Sequence, residues 1–406
     1  MKTIFVKTFG CTLNQRTSEE LTNHTILTEN INSADFILIN TCGVKEQTEF
    51  KIIKYLQELK KNGTKDKKII LFGCLVDIDS SGLRRTCPKA NYFGLKDVKK
   101  LKKLIFSKSK IKSQKKITQA IIIANGCLGA CTYCAVKFAR GRLKSKLIKE
   151  ILEETKFALK NGSKEILLTA QDTGCYGLDI KTNIVNLLKE IIKIPGEFRI
   201  RLGMANPQHL IKFYKELAKV YKNKKIYKFL HIPIQAGDNN TLKKMNRYYK
   251  TQEIETIINY FRKVHPTITI ATDVIVGFPE ETEKEFENTI KFIKKIKPPL
   301  INISRFGKRK GIEANNLKDL HGQIKKERSR ILAKVAKEIA RNNSVIFVGQ
   351  TKQVLVNEQA TNKNEFLGKT EEYLPVVIKS NKNGKIKLGN IAKIKINGSK
   401  EYYLLG

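Results

Sequence analysis

Three cysteines in GCLGACTYC, Cys127, Cys131 and Cys134, stand at C-x3-C-x2-C spacing on a short loop that contains glycine. Three thiolates on such a loop can face one small centre. Disulfides are disfavoured wherever the compartment keeps thiols reduced. Zinc is the competing metal, but a structural zinc site wants four ligands. Three cysteines without a nearby fourth ligand suit a 4Fe–4S cubane with one iron left open, a place to bind a small chelating substrate. A second set is dispersed: Cys11, Cys42 and Cys74, in TFGC, INTC and LFGC, each sit just past an apolar run that reads as a strand. Ligands gather at that edge of an open α/β sheet, so the three would converge at one point. The arrangement predicts a second cluster, again with one iron unprotected. Its alternative is three small core residues, since cysteine is readily buried. Cys87 and Cys175 are assigned to neither set, and His24, His209, His231, His265 and His321 show no metal spacing among themselves.

The elements that must position these groups follow from apolar periodicity. Over 1–106, the runs 2–9, 35–41 and 67–73 read as buried parallel strands, which predicts a Rossmann-like α/β domain. Between the second and third runs, Phe50, Ile53, Leu56 and Leu59 suggest the apolar face of a helix. Lys99 to Lys116 holds nine lysines and no acid. Its first half, with Leu101, Leu104 and Ile105, can still be helix, and 107–116 reads as a basic linker at a domain boundary. From Ile117 strand-like runs recur at 117–124, 165–170, 198–204, 228–234, 268–276 and 299–305. Helix-like runs follow at about 146–161, 182–193, 208–222, 251–264, 283–296 and 323–342. Six such units predict a parallel sheet curled into a partial (β/α)6 barrel over 117–343, open on one side for a large substrate. Thr282 and Glu285 have capping-box spacing for the fifth of these helices. Short strands between glycine and asparagine turns then predict a small β-barrel over 344–406, of the kind that often binds oligonucleotides, with a structural cap on the larger barrel as the alternative.

Charge points to the partner. The chain of 406 residues carries 78 Lys plus Arg against 38 Asp plus Glu, a formal charge of +40, and 64 of the bases are lysine. Such a charge repels itself unless a polyanion is near, and nucleic acid is the usual one. A lysine-biased proteome with solvated surfaces is the blander reading. The last module holds ten Lys and five Glu. No stretch approaches the roughly 18 apolar residues that a membrane span needs, and MKTIFVKTFG reads as a strand rather than a signal peptide. A cytoplasmic protein without a membrane partner is expected.

With an aromatic before its last cysteine, and opening a six-unit β/α domain, C-x3-C-x2-C resembles the radical S-adenosylmethionine enzymes. The further stretches TFGCTLNQRTSEE, NTCGVKEQ, LTAQDTGCYGLD, HIPIQAGD and TDVIVGFPEET extend this likeness over essentially the whole chain. Together they resemble the methylthiotransferase family, and the last 60 residues look like its TRAM domain. LTAQDTGCYG and RLGMANP most resemble the archaeal and eukaryotic branch acting on threonylcarbamoyladenosine in tRNA.

That resemblance implies two 4Fe–4S clusters and S-adenosylmethionine as cofactors. The N-terminal cluster on Cys11, Cys42 and Cys74 would carry or receive the sulfur. One S-adenosylmethionine would donate a methyl group by polar transfer. A second, bound at the Cys127, Cys131 and Cys134 cluster, would yield the 5′-deoxyadenosyl radical that activates C2 of the adenine. Gln171, Gln235 and Asp273, at strand ends, would rim the barrel mouth as polar partners of S-adenosylmethionine, although each could instead serve a turn or cap. Arg140 and Arg142 are candidates for phosphate or cofactor contact, with solvated charge as the alternative. GFPEET, 277–282, also has a purely structural explanation as a helix start with Pro279 near the first turn. Lys146 and GIEA, 311–314, depart from the family pattern and bear on substrate contacts. The implied partners are a tRNA anticodon stem-loop, an electron donor and a sulfur source, with the chain acting as a monomer. Two alternatives remain: the same chemistry on isopentenyladenosine or on a ribosomal-protein aspartate, or a non-catalytic, metal-stabilised RNA-binding protein.

Overall fold

The structure, a computed structural model, describes residues 2–23, 25–105, 116–362, 364–379 and 386–406. They form two compact units, which do not follow the chain in order. The first comprises the described residues of Met1–Gln114 with Asn125–Arg142 and Gly307–Asn315; the second comprises those of Lys115–Ala124, Leu143–Phe306 and Asn316–Gly406. Of the basic linker 107–116, all but Lys116 lies outside the described residues.

In the first unit, five parallel strands lie side by side in the order Ile26–Leu27, Thr3–Thr8, Phe36–Thr41, Ile69–Gly73, Asn91–Phe93. Helices cover both faces, so Phe36–Thr41 and Ile69–Gly73 read as nearly continuous apolar runs. Ile37, Ile39, Ile69 and Leu71 pack with Ile52, Leu56 and Leu59 of the helix Glu46–Lys61. Ile4, Leu38, Ile70 and Phe72 pack on the other side with Leu21 and with Leu101 and Ile105 of the helix Val98–Ile105. The helix expected around Phe50 is present, but its buried face differs from the expected one: Phe50 is 65% exposed and Ile52 is buried. At 3.6 residues per turn, nine residues make about two and a half turns, so Phe50 and Leu59 lie on opposite sides.

In the second unit, six parallel strands follow one another in chain order: Thr118–Ile122, Glu165–Thr169, Arg199–Leu202, Phe229–His231, Thr269–Val276 and Leu300–Arg305. They form two three-stranded sheets, with a bridge between Ile200 and Ile226 beside the third strand. This is the expected partial barrel, with helices between its strands. The helix expected at 208–222 is instead two, Pro207–Leu210 and Tyr214–Val220, because Phe213 leaves the helical region with φ −144°. The helix Glu283–Ile296 starts on the capping box read from the sequence: Thr282 Oγ accepts from Glu285 N at 3.2 Å, and Glu285 Oε2 accepts from Thr282 N at 2.7 Å.

The long helix Gly322–Val345 leads into a curled six-stranded sheet that is antiparallel except where Pro375–Lys379 meets Leu404–Leu405. Its core is Phe347, Val354, Val356, Val376, Ile378 and Leu404, and a bulge at Val356/Glu358 bends the first strand. This module meets the start of the barrel strands around one buried carboxylate. Glu165 accepts hydrogen bonds from Thr118 Oγ, from Tyr227 OH at 3.0 Å and from Asn357 Nδ2 at 3.2 Å. Beside it the Arg201 guanidinium lies over the rings of Phe229 at 5.1 Å and Tyr373 at 5.7 Å. The N-terminal face of such a barrel serves stability. Replacing Glu165 by Ala leaves three donors without their acceptor and should cost about 2–4 kcal/mol. Glu165→Gln keeps one acceptor oxygen and should cost less, which thermal unfolding of the two variants would resolve.

Candidate metal centres and active site

Both cysteine sets lie in the first unit. Cys11 is the N-cap of the helix Thr12–Thr22, Cys42 follows the strand Phe36–Thr41, and Cys74 follows Ile69–Gly73 as the first residue of a short helix. Adjacent parallel strands therefore deliver all three sulfurs to one sheet edge. Two glycines make the approach possible. Gly10 has φ +102°, and a Cβ on it would lie 2.7 Å from Cys42 Sγ. Gly73 has φ +107°, and a Cβ there would lie 2.4 Å from Asn40 Oδ1 and 2.6 Å from Thr41 O. Only glycine accepts that combination of backbone angle and space.

The surrounding polar groups organise this edge. Asn14 Nδ2 donates to the carbonyls of Phe9 and Thr41, both at 3.1 Å, tying the ends of two strands together. Asn40 Nδ2 donates to Asn14 O and Ser18 Oγ, both at 2.9 Å. Burial pushes the Cys42 thiol up to about 11, and the neighbouring Cys11 and Cys74 add to the rise. Burial also raises Cys74, while Arg140 pulls it back down. Arg140 Nε donates to Cys74 Sγ at 3.3 Å, Nη2 to Asn14 Oδ1 at 2.8 Å and Nη1 to Asn125 Oδ1 at 3.2 Å. Of the two arginines noted in the sequence, Arg140 thus contacts a cysteine.

Arg140 ends the helix Val136–Arg140, which directly follows the loop of the other set. On that loop Gly129 N donates to Cys127 Sγ at 3.2 Å. A Cβ on Gly129 would lie 3.4 Å from Cys127 Sγ and 3.6 Å from Cys131 Sγ, so the glycine floors a cradle between two thiols. Burial raises the Cys134 thiol, with Cys131 adding to the effect. Each set thus brings together mutually interacting thiols. Three soft sulfur donors in a confined space fit an iron–sulfur cluster, whose ligation replaces the thiol protons. Cys87 is buried in the N-terminal core, and Cys175 Sγ lies 3.2 Å from Asp172 O.

In the second unit, polar groups gather where the barrel strands end. His231 Nε2 and Asp273 Oδ2, on neighbouring strands, lie 2.6 Å apart. Gln235 adopts φ +67°; its N–H donates to Asp273 O at 2.8 Å and its carbonyl accepts from Ile275 N at 2.9 Å. The side-chain Oε1 of Gln171 is buried with no hydrogen-bond partner among the described residues. Such an orphaned acceptor is costly unless a ligand satisfies it. Next to it, Asp172 Oδ1 accepts from Gly174 N at 2.8 Å and Asn206 N at 3.0 Å. Burial raises Asp172 and lowers His209, whose Nε2 lies 3.7 Å from Asp172 Oδ2, so burial favours the neutral form of each. The histidine pairings were invisible in the sequence because their partners are 37 and 42 residues away.

GFPEET is more than a helix start. Glu281 Oε2 accepts from Gly277 N at 2.8 Å and from Arg328 Nη1 at 2.7 Å, both within the protein interior. The clamp holds the turn after the fifth barrel strand against the long C-terminal helix.

Comparison with known proteins bears on this arrangement. The Radical SAM superfamily model matches residues 121–293, the uncharacterized protein family UPF0004 matches 3–94, and the TRAM domain matches 346–406. Over 434 residues the chain is 38% identical to the probable threonylcarbamoyladenosine tRNA methylthiotransferase of Pyrococcus abyssi, covering 100% of this chain and 99% of that protein. It is 30% identical to the human threonylcarbamoyladenosine tRNA methylthiotransferase, covering 99% of this chain and 73% of that protein. In fold it resembles the radical S-adenosylmethionine methyltransferase from Kitasatospora setae, with TM-score 0.55, 12% identity, and coverage of 75% of this chain and 73% of that one. The fold and the family matches place the chain among the radical S-adenosylmethionine enzymes. More closely, the chain belongs to the threonylcarbamoyladenosine tRNA methylthiotransferase family. No helix among the described residues is long and apolar enough to cross a membrane.

Arg328→Ala strands the Glu281 carboxylate in the interior and should cost about 3–5 kcal/mol at neutral pH in urea unfolding. Burial already holds that carboxyl above its usual range, and losing the arginine raises it further. Since the folded protein then binds the proton more tightly than the unfolded chain, the deficit should shrink as pH falls.

Proposed function

We propose that this enzyme methylthiolates C2 of N6-threonylcarbamoyladenosine next to the anticodon of tRNA, giving the 2-methylthio derivative. The observation that carries the reading is a pair of three-cysteine sites in one compact unit, each shaped by glycines that let sulfurs approach. Cys127, Cys131 and Cys134 would hold one 4Fe–4S cluster, and Cys11, Cys42 and Cys74 a second. Bound and reduced, the first would supply the electron that cleaves S-adenosylmethionine to methionine and a radical, which C2–H requires because it is inert to bases.

The chain's own residues do the positioning. Asn14 ties together the strand ends that carry the N-terminal cysteines, and Arg140 places a positive charge and an N–H on Cys74. Gln171, Gln235 and Asp273 would meet S-adenosylmethionine; the orphaned Oε1 of Gln171 supports its part. His231 holds the Asp273 carboxylate in one orientation. We place the domains at 1–106, 117–343 and 344–406 with 107–116 as linker, a division supported by the family matches at 3–94, 121–293 and 346–406. The chain would work in the cytoplasm as a monomer on the anticodon stem-loop, drawing on a separate electron donor and sulfur source.

Anaerobic reconstitution should load roughly eight irons per chain, the content of two cubanes. Cys131→Ala should abolish 5′-deoxyadenosine formation, whereas Cys42→Ala should spare cofactor cleavage and stop sulfur insertion. Sulfur insertion by Cys42→Ala would refute this division of labour. In a deletion strain, tRNA should keep threonylcarbamoyladenosine and lose its methylthio form, read by mass spectrometry of nucleosides. Raising salt should weaken tRNA binding steeply, because lysine contacts to phosphate release counterions. A filter-binding titration at several salt concentrations would read that slope.

A further inference from the structure

The segment that follows the short helix Asn239–Lys244 presents one aromatic ring to solvent from a backbone that is held on every side. Burial alternates along it: Arg247 and Tyr249 are buried, whereas Tyr248 between them is 64% exposed and Lys250 is exposed. Both buried neighbours are fastened to the ends of barrel strands. Arg247 Nη2 donates to Asn206 Oδ1 at 3.1 Å, beyond the third strand, and to Pro233 O at 3.3 Å, beyond the fourth. Tyr249 OH donates to Pro233 O at 3.2 Å and Ile234 O at 3.0 Å, and accepts from Arg247 Nε at 2.8 Å. The segment is also closed at its ends, by Arg247 N on Leu242 O at 2.9 Å and Thr251 N on Asn239 Oδ1 at 2.9 Å. Asn246 takes φ +56° to make the turn.

A ring displayed in this way costs little entropy to use, because its backbone is already ordered. It stands at the rim where barrel enzymes do their chemistry. The exposed Lys243 and Lys250 flank it, which suits a phosphate backbone. Chemistry on a base requires that base to leave its stack, which deprives the neighbouring nucleotide of a stacking partner. An aromatic side chain can replace the lost face irrespective of base identity.

We propose that Tyr248 is a stacking platform for the loop nucleotide that flanks the target adenosine once that adenosine has entered the barrel. This assignment rests on the tRNA reading above and adds to it a specific contact outside the C-terminal module. The ring would compensate for the unstacking, and its phenolic oxygen has no necessary part.

The test uses the full-length, cluster-loaded protein and an anticodon stem-loop RNA carrying 2-aminopurine beside the target adenosine. Tyr248→Ala should weaken binding in fluorescence anisotropy on the order of tenfold. Tyr248→Leu, which keeps bulk without a π face, should behave alike, and Tyr248→Phe should restore wild-type affinity. The salt slope should stay unchanged, because no phosphate contact is lost. At saturation, 2-aminopurine should be brighter on Tyr248→Ala than on wild type, since stacking quenches it. Phe157→Ala, another exposed aromatic but on an outer barrel helix, serves as the control and should bind as wild type. Because the Tyr248 ring is exposed, the thermal midpoint of Tyr248→Ala should match wild type. Wild-type binding with unchanged affinity and brightness in Tyr248→Ala would overturn the stacking assignment alone. Failure of the wild-type protein to bind the stem-loop would overturn the tRNA reading and this assignment with it.

Discussion

Sulfur donors brought close together and cut off from water resist ionising, and the first unit depends on overcoming that resistance. Burial pushes Cys42 to about 11, and its two companions add to the shift. A metal cluster can replace the protons, but only if the backbone has already placed the sulfurs. A parallel sheet does this economically, since adjacent strands end at one edge and each cysteine needs only to follow its strand within a few residues. Gly10 and Gly73 then accept backbone angles and contacts that a side chain would forbid. Asn14 binds two strand ends to one another and Asn40 binds its strand to the helix that Cys11 caps, so the edge holds its shape.

Arg140 extends the same logic to the second cysteine loop. Its helix starts two residues after Cys134, yet its guanidinium lies on Cys74 and Asn14. One cation therefore answers the charge of one sulfur site while anchoring the segment that carries the other. Charge-assisted bonds of this kind are stronger than neutral ones and more directional.

In the second unit the two ends of the barrel do different work. At the start of the strands, Glu165 gathers Thr118, Tyr227 and Asn357 into a satisfied network that joins the C-terminal module to the barrel. Where the strands end, Glu281 and Arg328 clamp a turn, and Arg247 and Tyr249 pin a rim segment, but Gln171 keeps an acceptor without a partner among the described residues. Satisfied polar groups rigidify; an unsatisfied one invites a ligand.

The sequence alone determined a great deal here, because its strongest signals are local or periodic. The spacing of Cys127, Cys131 and Cys134, the strand-end positions of Cys11, Cys42 and Cys74, and the Thr282–Glu285 cap depend on a few neighbouring residues or on a repeated strand pattern. The β/α alternation likewise foretold a parallel architecture. Periodicity misled at Phe50, where a spacing of three drifts around the helix, and it could not foresee the break at Phe213. Only the tertiary structure decided that Arg140 meets Cys74, that His231 meets Asp273, and that Glu281 meets Arg328. Those partners are 66, 42 and 47 residues apart, so no local pattern relates them. The fold brings each pair together because a charged or polar group withdrawn from water must find its complement nearby, wherever in the chain that complement lies.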